Sequence, residues 1–140
     1  MKITEFKTKE EMMLAYPLIC QLHGGLDKKS YEEIVDELMQ ERNYVTIGIY
    51  DKKTLIAVAS YWLVTRFYCG KSIHIGNMVV DENYRNKGIG KKLIKYIEEK
   101  GKEFGCKKYI LDSYFHNTKS HKLYFNEGFY IRGFHFMKDI

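Results

Sequence analysis

The hexapeptide Arg85-Asn86-Lys87-Gly88-Ile89-Gly90 lies between a strand-like run and an amphipathic helix pattern. The run before it, residues 74–80 (HIGNMVV), is largely apolar. After it, apolar or small residues recur at the spacing of one buried helix face, at Ile89, Leu93, Ile94, Ile97, Gly101 and Phe104. This stretch therefore predicts a strand, a glycine turn and a helix in direct succession.

The first turn of the predicted helix carries Lys91 and Lys92 and no acidic residue. Helix N-termini present unpaired N–H groups and the positive end of a dipole, so lysines are unfavourable there unless an anion is bound. Gly88 and Gly90 let the backbone close around such an anion. We predict a phosphate-binding turn. The alternative is an ordinary strand-turn-helix with basic surface residues.

The type of phosphate loop follows from its spacing. A Walker loop requires Gly-x-x-x-x-Gly-Lys-Ser/Thr and a Rossmann fingerprint requires Gly-x-Gly-x-x-Gly, and neither occurs here. The pattern present is Arg-x-x-Gly-x-Gly after a strand that ends in Val79-Val80-Asp81. This pattern resembles the coenzyme-A pyrophosphate loop of the GNAT superfamily, the acetyl-CoA-dependent N-acyltransferases.

A second segment strengthens the resemblance. GNAT proteins typically carry Asn-x-x-Ala-x-x-Leu/Phe-Tyr-x-x-x-Gly-Phe after a short strand such as residues 109–113. The matching positions here are Asn117, Leu123, Tyr124, Gly128 and Phe129, with Ser120 where alanine is usual. The resemblance is closest over residues 74–129 and extends loosely over the whole chain.

The resemblance implies acetyl-CoA as co-substrate and no metal. It assigns to the cofactor Met78, Val79, Val80, Arg85, Asn86, Lys87, Gly88, Ile89, Gly90, Lys91 and Asn117. It also implies two catalytic groups: the Met78 backbone N–H polarises the thioester oxygen, and Tyr124 protonates the departing sulfur. The alternatives are that Asn117 is a helix N-cap and that Tyr124 is a core aromatic beside Leu123.

The general base is less well defined. Many GNAT members carry a glutamate two positions before the residue matched by Met78, and here that position is Gly76. His74 is a candidate because an unperturbed histidine pKa near ~6.5 suits proton removal at neutral pH. His116 and His121 are weaker candidates, and a water chain ranks first. We expect residues 23–33 and strand residues such as Tyr61 to line the acceptor pocket.

Composition restricts the class of protein. A chain of 140 residues with 45% hydrophobic and 29% charged residues predicts one globular domain over residues 1–140. No signal-like N-terminus and no run near ~18 apolar residues is present, so we expect a cytoplasmic protein without a membrane partner. The three cysteines lack metal-ligand spacing and are expected to be reduced thiols.

The net charge of +5 is concentrated around the glycine loop. Residues 85–108 contain nine Lys/Arg against three acids. Such a patch could attract a nucleic acid, but the aromatic interleaving of single-strand binders and the spacing of a helix-turn-helix are both absent. A polyphosphate cofactor accounts for the position of the charge, so no nucleic-acid partner is expected.

The periodicities predict an α+β fold. Strands are expected at residues 2–7, 44–50, 54–66, 72–81, 108–113 and 129–138. Helices are expected at 9–22 (kinked or divided at Pro17), 31–41 (with Ser30 as N-cap and Glu33 completing a capping box), after the glycine loop, and at 118–126. The resemblance implies a mixed, mostly antiparallel sheet of six to seven strands, about four flanking helices and a splayed pair of central strands.

The leading hypothesis is an N-acetyltransferase that moves an acetyl group from acetyl-CoA to a primary amine of a small molecule or peptide. A non-catalytic acyl-CoA-binding regulator on the same fold is the alternative, and a basic nucleic-acid module ranks third. A homodimer is an alternative to a monomer.

Overall fold

A computed structural model describes all residues, 1–140. None of its helices has both the length and the apolar composition needed to cross a membrane. The elements, in chain order, are β1 (Lys2–Glu5), α1 (Lys9–Leu14), α2 (Tyr16–Leu22), α3 (Lys28–Leu38), β2 (Tyr44–Asp51), β3 (Thr54–Arg66), β4 (Gly70–Val80), a 3₁₀ turn (Glu82–Tyr84), α4 (Ile89–Glu103), β5 (Lys108–Leu111) and α5 (Thr118–Asn126).

The five strands form one mixed sheet in the order β1-β2-β3-β4-β5. The first three pairings are antiparallel, and β4 pairs with β5 in parallel, with α4 as the crossover between them. The predicted α+β class is therefore confirmed, and the predicted number of six to seven strands is wrong by at least one.

The missing strand is the one expected at residues 129–138. Residues 130–140 take part in no backbone hydrogen bond, and Phe134 and Phe136 are 85% and 90% exposed. Two side-chain contacts connect this segment to the rest of the chain: Arg132 lies over the ring of Tyr68 in the turn between β3 and β4, and His135 lies 3.8 Å from Asp112, just after β5. A strand exists only where a neighbour pairs with its backbone, and the sequence pattern does not supply that neighbour.

Two hydrophobic cores lie on the two faces of the sheet. On one face α4 packs Leu93 and Ile97 against Ile73 and Ile75. On the other face α1–α3 pack against residues of β3 and β4, with Met12, Leu18, Tyr31, Val35, Val58 and Val79 in the contact. Tyr61 belongs to the α4 core and is 2% exposed, so the expectation that it lines the acceptor pocket is wrong.

Two N-terminal helix predictions differ in outcome. Pro17 does divide the first helical segment, since α1 ends at Leu14 and Pro17 falls in the first turn of α2, where a missing N–H costs little. The predicted cap of the next helix is wrong, because α3 begins at Lys28 and its N-cap is Asp27, three residues before Ser30. Ser30 lies inside the helix and donates its N–H and hydroxyl to that carboxylate, at 2.9 and 2.8 Å.

Candidate active site

A β-bulge interrupts β4 where the cofactor thioester is expected. Ser60 pairs with Gly76 and Val58 pairs with Val79, so Asn77 and Met78 both lie opposite a single β3 residue. Asn77 has a φ of +50°, in the left-handed region. The extra residue moves Val79 to the α1–α3 face, and a bulge leaves backbone groups outside the strand ladder. Backbone N–H and C=O groups around Met78 thus become available to a ligand.

The same part of β4 has no strand partner on the side of β5. β5 pairs with β4 only from Ser72 to Ile75, which leaves residues 76–80 of β4 without a partner on that side. β5 itself ends at Leu111, and the splaying of the two strands stays a prediction. A ligand that enters the gap can pair with the free edge of β4 as an extra strand would.

The glycine loop presents a row of free backbone donors. Gly88 is the N-cap of α4 with a φ of +76°, and Asn86 has a φ of +63°. The N–H groups of residues 87–91 donate to no protein acceptor. Successive unpaired N–H groups at a helix N-terminus form an anion-binding site. The geometry that the sequence predicts for a phosphate loop is present.

The basic side chains of the loop are partly engaged within the protein. The Arg85 Nε donates to the Val80 carbonyl at 3.1 Å, which ties the loop to the end of β4. The Lys87 ammonium lies 5.2 Å from the centre of the Tyr84 ring, and the Lys91 ammonium lies 3.6 Å from the Glu127 carboxylate. These contacts hold positive charge around the loop.

The remaining loop and strand residues divide between backbone and side-chain roles. The side chains of Val79 and Ile89 are buried in the two cores, so these residues can reach a cofactor only through backbone groups. A Cβ added at Gly90 would lie 3.0 Å from Leu123 Cδ2, so this glycine permits close packing of α5 on α4. Gly88, in contrast, is required by its positive φ.

Tyr124 lies on α5, and the close approach of Leu123 to Gly90 places this helix beside the glycine loop. Its ring meets Phe129 edge to face, with 6.0 Å between centroids. Burial raises the pKa of the Tyr124 phenol, and the Ser120 side chain partly opposes the rise. The hydroxyl is therefore fully protonated at neutral pH, as a proton donor must be.

Asn117 occupies the N-cap position of α5, but its side chain makes no capping hydrogen bond. The alternative interpretation of this residue as a side-chain cap is therefore not supported. The half-buried amide is left available for a ligand.

The histidines considered from sequence are engaged elsewhere. His74 Nε2 lies 3.1 Å from Asp112 Oδ2; burial lowers the His74 pKa and the Asp112 carboxylate opposes that effect. His116 stacks on the Tyr114 ring at 5.4 Å, and His121 Nε2 lies 2.9 Å from the Tyr114 carbonyl oxygen. None of these three histidines lines the cavity between α1–α3 and the sheet.

The glycine that replaces the usual glutamate has a packing reason. A Cβ at Gly76 would lie 2.5 Å from Cζ3 of Trp62, so the indole ring occupies the space a side chain would need. The carboxylate that many members use as a base therefore has no room here.

A cavity of about 500 Å³ lies between α1–α3 and the sheet. It is lined by Met12, Ala15, Ile19, His23, Gly24, Gly25, Leu26, Tyr31, Ile34, Val35, Leu38, Tyr44, Thr46, Ser60 and Asn77. The expectation that residues 23–33 line an acceptor pocket agrees with this cavity. Because Asn77 belongs to the β4 bulge, the cavity reaches the backbone next to Met78.

His23 lies in the segment predicted to line the acceptor pocket, but sequence reasoning did not identify it as a candidate base. Its Nε2 lies 3.1 Å from Asn77 Oδ1 and its Nδ1 lies 2.5 Å from the Tyr114 hydroxyl. When Nε2 carries the proton donated to Asn77, Nδ1 accepts from Tyr114 and can take up a proton. The available signal was its position at the end of α2, before Gly24-Gly25.

Known proteins resemble this chain over most of its length. The family model described as "Acetyltransferase (GNAT) family" matches residues 10–129. The uncharacterized N-acetyltransferase YhdJ of Bacillus subtilis (strain 168) is 24% identical over 137 residues, 97% of this chain and 96% of that protein. The spermine/spermidine N(1)-acetyltransferase of the same organism is 26% identical over 123 residues, 82% of this chain and 81% of the relative.

Among solved structures, an aminoglycoside N-acetyltransferase in complex with CoA superposes with a TM-score of 0.83. The identity is 20%, and the superposition covers 99% of this chain and 95% of that one. At this identity the likeness shows a common fold.

Proposed function

The chain belongs to the acetyltransferase (GNAT) family, and we propose that it transfers the acetyl group of acetyl-CoA to a primary amine with Tyr124 as general acid. The observation that carries the cofactor assignment is the row of unpaired N–H groups at residues 87–91, at a helix N-terminus without acidic residues. These donors suit the pyrophosphate of CoA.

The acetyl end is proposed to lie along the free edge of β4. In this arrangement the N–H of Met78 donates to the thioester oxygen and stabilises the negative charge that develops on it. Asn117 is proposed to bind the cofactor through its uncapped side-chain amide.

The chemical step forms the amide C–N bond and breaks the C–S bond. The neutral amine attacks the thioester carbon, and the tetrahedral intermediate expels the thiolate of CoA. Tyr124 protonates the sulfur as it departs, and its raised pKa keeps the proton on the hydroxyl until then.

The proton that the attacking amine loses must be accepted by a group other than Tyr124. We propose that His23 takes it at Nδ1, directly or through the Tyr114 hydroxyl and water. His23 lines the cavity, whereas His74 is held by Asp112 outside it. A route through water alone is the remaining alternative.

The test is an assay of free CoA release from acetyl-CoA over a panel of amines, with mass spectrometry of the amide product and calorimetry of acetyl-CoA binding. We expect binding and amine-dependent release together. A non-catalytic acyl-CoA-binding regulator would bind acetyl-CoA and release no CoA with any amine.

A further inference from the structure

We infer that the acceptor is a monoamine with an apolar body, such as an alkylamine or arylalkylamine. This inference rests on the proposed function and names the substrate class for the same site. It differs from what the names of the spermine/spermidine and aminoglycoside relatives indicate for those proteins, whose acceptors carry several positive charges or many hydroxyls.

The cavity lining contains no carboxylate, ammonium or guanidinium group. Of its 15 residues, nine are hydrophobic, and none is Asp, Glu, Lys or Arg. Binding a polycation out of water requires opposite charges to compensate for desolvation, and this cavity offers none. An apolar body requires only the contact area that the aliphatic and aromatic residues supply.

Three acids in segments that adjoin the lining are already engaged. Asp27 caps α3, and Asp81 accepts from the Asn83 N–H at 2.8 Å and from the Gln21 amide. Glu41 accepts from the Trp62 indole N–H at 2.9 Å. Each carboxylate therefore has a structural partner outside the cavity.

The polar groups of the lining are concentrated at its sheet side. Ser60 Oγ lies 2.7 Å from the Tyr44 hydroxyl and 3.0 Å from Thr46 Oγ1, so this cluster satisfies itself. His23 and Asn77 remain at the bulge, next to Met78. The amine is thereby directed to the bulge and the apolar body toward Ile19, Ile34 and Leu38.

The test compares kcat/KM over two sets of amines, measured as CoA release. One set is the series from propylamine to hexylamine with 2-phenylethylamine, and the other contains spermidine and kanamycin. Three added methylene groups should raise kcat/KM on the order of tenfold to a hundredfold. Spermidine or kanamycin as the best acceptor would overturn the inference and leave the proposed function intact, whereas no acetylation of any amine would overturn the function itself.

A variant pair sharpens this test. Ile34→Glu places a carboxylate at the cavity, at a position already 44% exposed, and should raise the spermidine rate relative to hexylamine by about tenfold, as for one charged hydrogen bond. Met39→Glu makes the same charge change at a 43% exposed site outside the lining and should leave the ratio unchanged. Equal shifts in both variants would contradict the assignment of this cavity to the acceptor.

Discussion

The two ends of the candidate active site differ in how they are built. The cofactor end consists of consecutive residues, 85–91, whose backbone N–H groups and basic side chains surround one helix N-terminus. The acceptor end is assembled from distant residues, since His23 meets Asn77 and Tyr114 across 54 and 91 positions of the chain. The first end suits a ligand of fixed, strongly anionic chemistry. Single side-chain substitutions can change the acceptor end without disturbing the cofactor end.

The largest effect is expected at Tyr124, the proposed proton donor. Tyr124→Phe removes the proposed proton donor and keeps the ring contact with Phe129. Turnover should fall by roughly 10- to 10³-fold, while acetyl-CoA affinity changes little because the hydroxyl acts in the transition state. Steady-state kinetics and calorimetry measure the two quantities. Tyr130→Phe, at a tyrosine that is 68% exposed, is the control. Full turnover in Tyr124→Phe would mean that Tyr124 is a core aromatic and not the general acid.

The next effect tests the cofactor end alone. Arg85→Ala or Lys91→Ala should weaken acetyl-CoA binding by roughly ten- to a hundredfold, as for one charged hydrogen bond, and added salt should reduce the difference from wild type. Lys102→Ala removes the same charge at the other end of α4 and should have little effect on binding. Equal losses at all three positions would mean that the patch acts only through its overall charge.

A third change tests whether Gly90 is required for helix packing or for cofactor binding. Gly90→Val should lower the free energy of unfolding by about 1–3 kcal/mol through overpacking against Leu123. Leu123→Ala added to Gly90→Val should recover part of that loss, as denaturant titrations would show. If Gly90→Val folds with wild-type stability but no longer binds acetyl-CoA, the glycine faces the pyrophosphate and not α5.

The smallest effect, a change in the pH dependence of stability, is expected at His74, which does not line the cavity. Burial lowers its pKa, so between that lowered value and about 6.5 the unfolded chain binds more protons at this residue than the folded chain does. Its contribution to stability should therefore increase with pH through this window and level off above it. Denaturant titrations of wild type and His74→Gln isolate this contribution; parallel curves would show that His74 titrates alike in both states.

The sequence was informative wherever structure depends on neighbouring residues. Helix α5 was predicted with its observed bounds, and the glycine loop and the division at Pro17 were found because each depends on local backbone chemistry. The cap at Asp27 was missed because Ser30 and Glu33 offered an equally good local pattern three residues later. Local competition between caps is decided by packing.

Long-range features were less accessible. Alternation predicted that residues 129–138 are extended, but pairing depends on a partner edge that no local pattern specifies. Tyr61 was predicted to line the acceptor pocket and lies in the α4 core instead, because the face of a strand residue depends on register. His23 was not recognised as a candidate base because both its partners lie far along the chain. The local geometry of the glycine loop was therefore largely predictable, and the long-range contacts around the cavity were not.

The indole ring of Trp62, which leaves no room for a carboxylate side chain at position 76, is also a fluorophore. Trp62 is the chain's single tryptophan, and its indole lies 4.6 Å from the ring of Tyr44, a residue of the cavity wall. Indole emission shifts with the polarity of its surroundings, so an amine that displaces water from this cavity should change the intrinsic fluorescence of the protein. The molecule thus carries its own label-free reporter for the acceptor end, and candidate amines can be ranked by titration before any of them is acetylated.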